Sequence, residues 1–446
     1  MTLKELTLSL TPNFLKPYLK RIEDSPLGYR LAKGVFWSLA GSVISRALAL
    51  VSSIIVARLI GKVGFGELGI INSTIGMFGP LAGFQMGLTA TKHIAEFRDQ
   101  DPVRAGRIIA LSNTVALVMG TLAALALVVL APWMATKILA APHLSGLLQI
   151  SSLFILLGAF NGVQAGALAG LEAFKTIAWV NLLGGVAAFP LIVGGVYLGG
   201  LIGVVWGMIL SLGLNIILHQ WALHQEAKRV GMPLSFAGCT QEWNVLWRFS
   251  LPSMLASMIF GPVSWACNSI LVNQPNGYAE MGIFNAANQW RTPIIFLTSS
   301  MGVIVLPVLS SLHGKEDRED YNKVLRSNLL LNTMIALIIA LPVAIFSPLI
   351  MASYGKGFRE GYWVVVVLSF SAVFMATSHI LGQAIVSKGR MWLNIWFYVV
   401  WAAFILLLTL YLVPKHSSLG LAISTTIAWA LFTCAQGFSV RKMVKE

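Results

Sequence analysis

The chain has 446 residues, of which 57% are hydrophobic and only 11% are charged, and its mean hydropathy is +0.78. A typical soluble domain has about 25% charged residues, so this composition excludes a soluble globular protein. Lys and Arg exceed Asp and Glu by 14, yet the basic residues lie in short clusters between long apolar runs. This arrangement is typical of a polytopic membrane protein rather than of a nucleic-acid-binding surface.

The apolar runs predict an all-α polytopic membrane protein with twelve transmembrane helices. A bilayer core about 30 Å thick requires about 20 apolar residues in each helix. The residues before the first run lack an apolar segment that leads to a small-residue cleavage site, so we expect no cleaved signal peptide. The predicted spans, numbered 1 to 12 in chain order, are 34–60, 67–91, 108–133, 147–171, 176–199, 200–223, 246–273, 280–311, 326–352, 361–387, 391–413 and 417–440.

The distribution of Lys and Arg predicts that both termini are cytoplasmic. With the N-terminus placed inside, 23 of the 31 basic residues fall on the cytoplasmic side and 5 on the opposite side. Short cytoplasmic loops carry the excess of Lys and Arg in membrane proteins. An odd number of spans would destroy this alternation, so the bias also supports the count of twelve.

A short repeat indicates two halves of six spans each. Residues 64–72 (GFGELGIIN) recur as residues 277–285 (GYAEMGIFN), with five of nine positions identical at an offset of 213, and Pro80 and Pro293 keep that offset. A chance match between Gly-rich loops is the alternative. Halves inserted with the same orientation are related by an axis along the membrane normal, and such transporters bind substrate between the halves. The expected domains are a cytoplasmic segment 1–33, a first six-helix half 34–223, a cytoplasmic linker 224–245, a second six-helix half 246–440 and a cytoplasmic tail 441–446.

Three arginines lie within predicted spans, Arg46 and Arg291 near span centres and Arg58 near the end of span 1. A charge at the bilayer centre costs about 2.5 to 3.5 kcal/mol, so such residues usually face a cavity. All 17 Asp and Glu lie away from the span centres. We therefore expect a net positive cavity that binds an anionic substrate, because the guanidinium fork suits phosphate. The alternative for each arginine is a hydrogen bond to backbone carbonyls of a neighbouring helix, and Arg58 is placed to snorkel to the membrane surface.

Neutral polar side chains within the spans can bind sugar hydroxyls or join neighbouring helices. Among them we expect Gln85, Asn285, Asn288 and Gln289 to contact the substrate. His219 and His379 are candidate proton carriers, because histidine titrates near neutral pH. A membrane histidine is more often a hydrogen-bonded packing residue, which is the alternative for both.

No enzymatic motif occurs in the sequence. It has no phosphate-binding loop, no HExxH zinc motif and no nucleophile elbow. Cys239, Cys267 and Cys434 are widely separated and have no neighbour at metal-ligand spacing. We therefore expect no enzymatic activity, no metal and no cofactor, and we expect no nucleic acid among the partners.

Short motifs occur in both predicted halves of the chain. The first half contains residues 34–38 (GVFWS), 45–46 (SR), 55–61 (IVARLIG) and 64–69 (GFGELG). The second half contains residues 288–291 (NQWR), 306–310 (LPVLS), 354–358 (YGKGF) and 389–390 (GR). Together these motifs resemble the polysaccharide flippases of the multidrug/oligosaccharidyl-lipid/polysaccharide exporter superfamily, and the resemblance extends over nearly the whole chain from about residue 34.

This resemblance implies two six-helix bundles around a central cavity that opens alternately to the two sides of the membrane. It also implies a substrate in which an oligosaccharide is joined through pyrophosphate to a polyprenyl chain, such as an O-antigen unit in a bacterial inner membrane. Arg46 and Arg58 match arginines of a Ser-Arg…Ala-Arg pattern that the related lipid II flippases share. Span 2 lacks the extra arginines of the lipid II group, and twelve spans instead of fourteen favour a surface polysaccharide unit.

Two other functions stay open on the sequence alone. An ion-coupled multidrug exporter of the same superfamily would be expected to carry an Asp or Glu within the membrane. A polysaccharide ligase or polymerase would need functional residues in outward loops, such as Lys356 and Arg359. For a flippase, the expected partners are the lipid-linked oligosaccharide, membrane lipids, a polysaccharide polymerase and glycosyltransferases.

Overall fold

The computed structural model describes residues 26–234, 238–298, 318–388 and 390–445, and the regular elements in these ranges are helices. Most of the predicted segment 1–33 and the predicted end of span 8 lie outside the described residues. The helices are α1 (Pro26–Gly83), α2 (Met86–Phe97), α3 (Pro102–Trp133), α4 (Ser145–Gly170), α5 (Phe174–Val230), α6 (Leu251–Ser257), α7 (Phe260–Val272), α8 (Gly277–Gln289), α9 (Arg318–Ile345), α10 (Ser347–Tyr354), α11 (Tyr362–Ser387) and α12 (Met391–Lys445).

Eight helical stretches within the described ranges are long and apolar enough to cross a membrane. Three of the long helices contain a non-helical break, at Gly61 in α1, at Gly199 and Gly200 in α5, and at Ser417 in α12. Each break separates two crossings, and α8 continues as helical residues 291–298. The eight stretches, of which three are divided in two by a break, and α8 with its continuation together provide twelve crossings in the described part of the chain. The predicted all-α polytopic membrane fold is confirmed, whereas the domain boundaries and the axis between the halves stay predictions.

The connections predicted at 61–66 and 414–416 are short breaks, at Gly61 and at Ser417, inside continuous helices, and the break at Gly199 and Gly200 lies at the predicted boundary between spans 5 and 6. Gly61 and Gly200 have φ values of 71° and 55°, which glycine adopts without the penalty of a Cβ atom. Ser417, with φ 47°, is held differently, because the Glu280 carboxylate accepts hydrogen bonds from the backbone N–H (3.2 Å) and the hydroxyl of Ser418. A carboxylate at this position satisfies a free N–H at the start of the second segment of α12.

The two repeat segments contact each other directly, although six spans separate them in the sequence. A Cβ atom added to Gly66 would lie 1.8 Å from the Tyr278 carbonyl oxygen, and one added to Gly282 would lie 2.0 Å from the Lys62 carbonyl oxygen. Only glycine therefore allows the backbones of α1 and α8 to approach this closely. We call this contact between residues 62–69 and 277–285 the closed end of the molecule.

Aromatic side chains pack around the closed end. Phe65 is 1% exposed, and its ring centroid lies 6.1 Å from those of Tyr354 and Phe358. Trp290 donates from Nε1 to the Tyr354 hydroxyl at 3.2 Å, and Asn285 donates from Nδ2 to the Phe65 carbonyl at 3.3 Å. This cluster joins residues of both halves and seals the space between them at this end.

A second contact between the halves runs along α1, α2 and α7. Trp265 donates from Nε1 to Thr74 Oγ1 at 3.0 Å, and Asn268 donates from Nδ2 to Ser73 Oγ at 2.8 Å. Further along, Thr89 Oγ1 lies 2.8 Å from Ser250 Oγ. These hydrogen bonds join the two halves along α1, α2 and the chain from Ser250 to α7.

We predict that Gly66→Ala destabilises the protein, because its methyl group overlaps the Tyr278 carbonyl. Overpacking of a close contact costs about 1–3 kcal/mol, so the melting temperature of the purified protein should fall. Gly76→Ala is the matched control in the same helix, because its added Cβ meets no atom within 4 Å. Equal melting temperatures for the two variants would contradict the closed-end contact.

Candidate functional site in two adjoining cavities

A cavity of about 630 Å³ lies between the two halves. Its walls come from both segments of α1, both segments of α5, α8 with its continuation, and α9. Most of the lining is apolar, including Val43, Ile192, Met208, Leu297 and Ile339. We call it the central cavity, and its volume falls in the range of about 300–1,000 Å³ that is typical of ligand sites.

Arg46 is the only charged residue that lines the central cavity among the described residues. Its guanidinium carbon lies 4.1 Å from the centroid of the Phe296 ring, an arrangement that stabilises a cation. No described carboxylate forms an ion pair with Arg46, and the lining contains no Asp or Glu. The central cavity is therefore positively charged.

The polar part of the central cavity is formed by amides near the closed end. Asn72 and Asn285, which occupy equivalent positions in the repeat, both line it, together with Gln289. The Gln289 Oε1 atom accepts a long hydrogen bond of 3.4 Å from the Tyr354 hydroxyl. Amide groups of this kind can donate to and accept from hydroxyl groups of a bound ligand.

A smaller cavity of about 270 Å³ adjoins the central cavity and lies mainly within the second half. The two cavities share Asn72 and Asn285 in their linings. Arg291 and Asn288 line the smaller cavity, on the side of the helix away from the central one. Trp401 and Trp429, from the two segments of α12, form much of the remaining wall.

The predicted site residues form three groups: those that line the central cavity, those that line the smaller cavity and those that line neither. Arg46, Asn285 and Gln289 line the central cavity, and Arg291, Asn288 and again Asn285 line the smaller one. The structure places Arg58, Gln85, His219 and His379 in neither lining.

Arg58 lies at the closed end and joins the halves. Its Nε donates to the Ser353 carbonyl, at 2.5 Å, where α10 ends. Gln85 occupies a left-handed turn (φ 52°) between α1 and α2, and its carbonyl accepts from the Thr89 hydroxyl at 3.1 Å. Both side chains are therefore placed where helices break or end.

The two histidines lie in different surroundings. His219 is buried in α5, and its Nδ1 lies 2.9 Å from the Asn215 carbonyl of the same helix. His379 is exposed on α11. Their proposed role as proton carriers stays a prediction.

Sequence reasoning did not single out Trp401, Trp429 or Phe296. The position of the two tryptophans could have shown them, because each lies about ten residues inside an apolar span, away from the interfacial zones where membrane tryptophans concentrate. No such signal marks Phe296, because phenylalanine is common throughout apolar helices.

Comparison with known proteins identifies relatives that differ in how much of the chain they match. A family of polysaccharide biosynthesis proteins matches residues 31–313. The EPS I polysaccharide export inner membrane protein EpsE of Ralstonia nicotianae is 28% identical over 34% of the chain, and this match spans only 35% of EpsE. The Lipid III flippase of Escherichia coli strain K12 is 22% identical over 88% of the chain and 94% of its own length. A putative O-antigen transporter of Shigella flexneri is 24% identical over 89% of the chain and 94% of its own length.

Solved structures of two transporters share the whole fold. An inward-facing multidrug resistance MATE family transporter of the MOP superfamily aligns with a TM-score of 0.70 at 15% identity, over 92% of this chain and 98% of that one. The lipid II flippase MurJ in an inward closed conformation aligns with a TM-score of 0.68 at 15% identity, over 91% of this chain and 87% of that one. At this level of identity, the alignments establish the fold. The chain belongs to the polysaccharide biosynthesis protein family and has the fold of the MOP superfamily.

Proposed function

We propose that the protein is a flippase that moves a polyprenyl-pyrophosphate-linked oligosaccharide, such as an O-antigen unit, across a bacterial inner membrane. The observation that carries this proposal is Arg46, a cation in a cavity between the halves that has no carboxylate partner in the described part of the chain. Relatives named as a flippase and as a putative O-antigen transporter, each matched over 94% of its length, support the same class of cargo.

In this proposal the pyrophosphate of the cargo supplies the negative charge that the central cavity lacks. The Arg46 guanidinium donates to two phosphate oxygens at once, and this bidentate geometry is the strongest form of such a contact. Asn285, Gln289 and Asn72 exchange hydrogen bonds with sugar hydroxyls, and the apolar wall contacts the polyprenyl chain where it leaves the cavity.

The predicted orientation assigns a conformation to the structure. If both termini are cytoplasmic, the closed end with Gly66 and Gly282 faces outward, and the structure is an inward-facing state. Export then requires the contacts of the closed end to separate while the halves come together on the cytoplasmic side. Arg58 is released from the Ser353 carbonyl in this step, and we propose that it then binds the pyrophosphate on the outward side.

A cationic-drug exporter fits the central cavity poorly, because a cation would meet Arg46 and no carboxylate. We therefore infer that the protein transports its cargo and carries out no enzymatic reaction. We also infer that it works together with a polysaccharide polymerase and with the glycosyltransferases that assemble the cargo.

Two experiments distinguish the other functions. A deletion strain that loses drug resistance and keeps its surface polysaccharide would favour the exporter. Loss of polysaccharide on replacing the exposed Lys356 and Arg359 alone would favour a ligase or polymerase.

We predict that Arg46→Ala lowers surface polysaccharide at least tenfold while the protein remains in the membrane at its normal level. A hydrogen bond to a charged group contributes about 1.5–3 kcal/mol, which corresponds to this change. Arg46→Lys should restore transport only in part, because lysine keeps the charge and loses the fork. Polysaccharide can be measured by gel electrophoresis and the protein by immunoblot of isolated membranes.

Arg229→Ala is the control for loss of an arginine, because this side chain is 71% exposed, pairs with Glu226 and lies outside both cavities. It should leave polysaccharide unchanged. Normal polysaccharide in the Arg46→Ala strain would refute the role of the central cavity.

Arg58 should respond differently from Arg46 to replacement by lysine. We predict that Arg58→Ala lowers both the melting temperature and the polysaccharide level, whereas Arg58→Lys restores the melting temperature, since one N–H donor is enough for the Ser353 carbonyl. Arg46→Ala should not lower the melting temperature, because it removes a charge that no described carboxylate pairs with. If Arg58→Ala changes neither quantity, Arg58 has no role in closure or in transport.

A further inference from the structure

The smaller cavity is lined by hydrogen-bond donors that have no acceptor among the described residues. Trp401 and Trp429 are 2% and 3% exposed, and neither indole N–H makes a hydrogen bond. The Arg291 guanidinium lines the same cavity, and no hydrogen bond to a described residue engages it. Asn288 also lines the cavity, and its buried unpaired atom is the acceptor Oδ1. An unpaired buried donor is costly, so the donors of Trp401, Trp429 and Arg291 together require an acceptor within the cavity.

Other indoles near the interface between the halves are satisfied. Trp265 donates to the Thr74 hydroxyl at 3.0 Å, and Trp290 donates to the Tyr354 hydroxyl at 3.2 Å. The rings of Trp401 and Trp429 pack against each other with centroids 5.2 Å apart. The two unpaired indoles are thus adjacent and line one cavity.

The repeat shows that the polar residues around Arg291 have no polar counterparts in the first half. Between the matched residues Asn72 and Pro80, the first half reads Ile-Gly-Met-Phe-Gly over residues 75–79. Between Asn285 and Pro293, the second half reads Asn-Gln-Trp-Arg-Thr over residues 288–292. The position of Arg291 corresponds to Phe78, which is 7% exposed in a hydrophobic cluster. The halves therefore differ at the residues that make the smaller cavity polar.

We propose that the smaller cavity is a binding site for one small anion, either a halide or a carboxylate group, held by Arg291, Trp401 and Trp429. Indole and guanidinium groups only donate hydrogen bonds, so together they suit an acceptor that carries negative charge. A sodium ion is disfavoured, because Arg291 lies in the lining and no Asp or Glu is among the described residues that form it. We call this site the anion pocket.

Two sources could supply such an anion. A carboxylate on an acidic sugar of the cargo could reach the anion pocket past Asn72 and Asn285, the residues shared with the central cavity, and this source rests on the proposed function. A free anion such as chloride needs no cargo. In both cases the bound group has a single negative charge and a size compatible with about 270 Å³.

Equilibrium binding of radioactive chloride to the full-length protein in lipid nanodiscs tests the proposal. We expect saturable chloride binding that depends on Arg291 and that acetate displaces. Arg291→Gln should remove binding, and Arg291→Lys should restore it in part. Trp401→Phe and Trp429→Phe each remove one donor and little volume, so each should weaken binding about tenfold, as expected for one hydrogen bond to a charged group.

Two controls separate this site from the rest of the molecule. Trp396→Phe alters a tryptophan that is 66% exposed on the same helix as Trp401, and it should not affect binding. Arg229→Gln removes an exposed arginine outside both cavities and should not affect chloride binding either. The polysaccharide level of the Arg46→Ala strain tests the proposed function, and Arg291-dependent chloride binding tests the anion pocket, so the two proposals can fail separately.

The same assay with radioactive glucuronate distinguishes the sources. Binding of glucuronate that depends on Arg291 supports a sugar carboxylate, and binding of chloride alone supports a free anion. The proposal is overturned if neither probe binds saturably, or if binding is unchanged by Arg291→Gln and by both tryptophan replacements in proteins that elute as the wild type does on size-exclusion chromatography.

Discussion

A guanidinium inside a membrane protein, without a carboxylate to pair with it, is the constraint on which the rest of this structure depends. A charge near the bilayer centre costs about 2.5 to 3.5 kcal/mol by insertion measurements. The Phe296 ring offsets part of this cost for Arg46, and the described lining of the central cavity supplies no counter-charge. A site of this kind becomes fully paired only when a ligand brings negative charge to it, which is why the cavity suits an anionic cargo and repels a cationic one.

The closed end and the cavities are built from the same short repeat. Its glycines bring the backbones of α1 and α8 into contact, and its terminal asparagines, Asn72 and Asn285, lie in the wall between the two cavities. Movement of α8 away from α1 therefore changes the closed end and both linings together. This provides a direct physical link between what occupies the cavities and whether the closed end can open.

Arg46, a candidate binding residue from the sequence, lines the central cavity. The sequence predicted the helical membrane fold, because apolar length and basic loops are strong signals. It did not predict that Gln289 and Arg291 would face different cavities. Helical geometry explains this result, since residues two apart point about 200° away from each other around the axis. The hydrogen bond of Arg58 could not be predicted from the sequence for a different reason. Its partner is the backbone carbonyl of Ser353 near the end of α10, and every residue has such a carbonyl.

The central claim is that the negative charge of the cargo completes the central cavity, and affinity for charged and uncharged glycolipids tests it most directly. We would measure binding of a polyprenyl-pyrophosphate oligosaccharide, and of the same oligosaccharide on an uncharged polyprenyl ether, to the purified protein and to its Arg46→Gln variant. The account predicts that the wild type binds the pyrophosphate lipid at least tenfold more tightly, and that the variant loses most of this preference. Equal affinity of the wild type for the two lipids would contradict it.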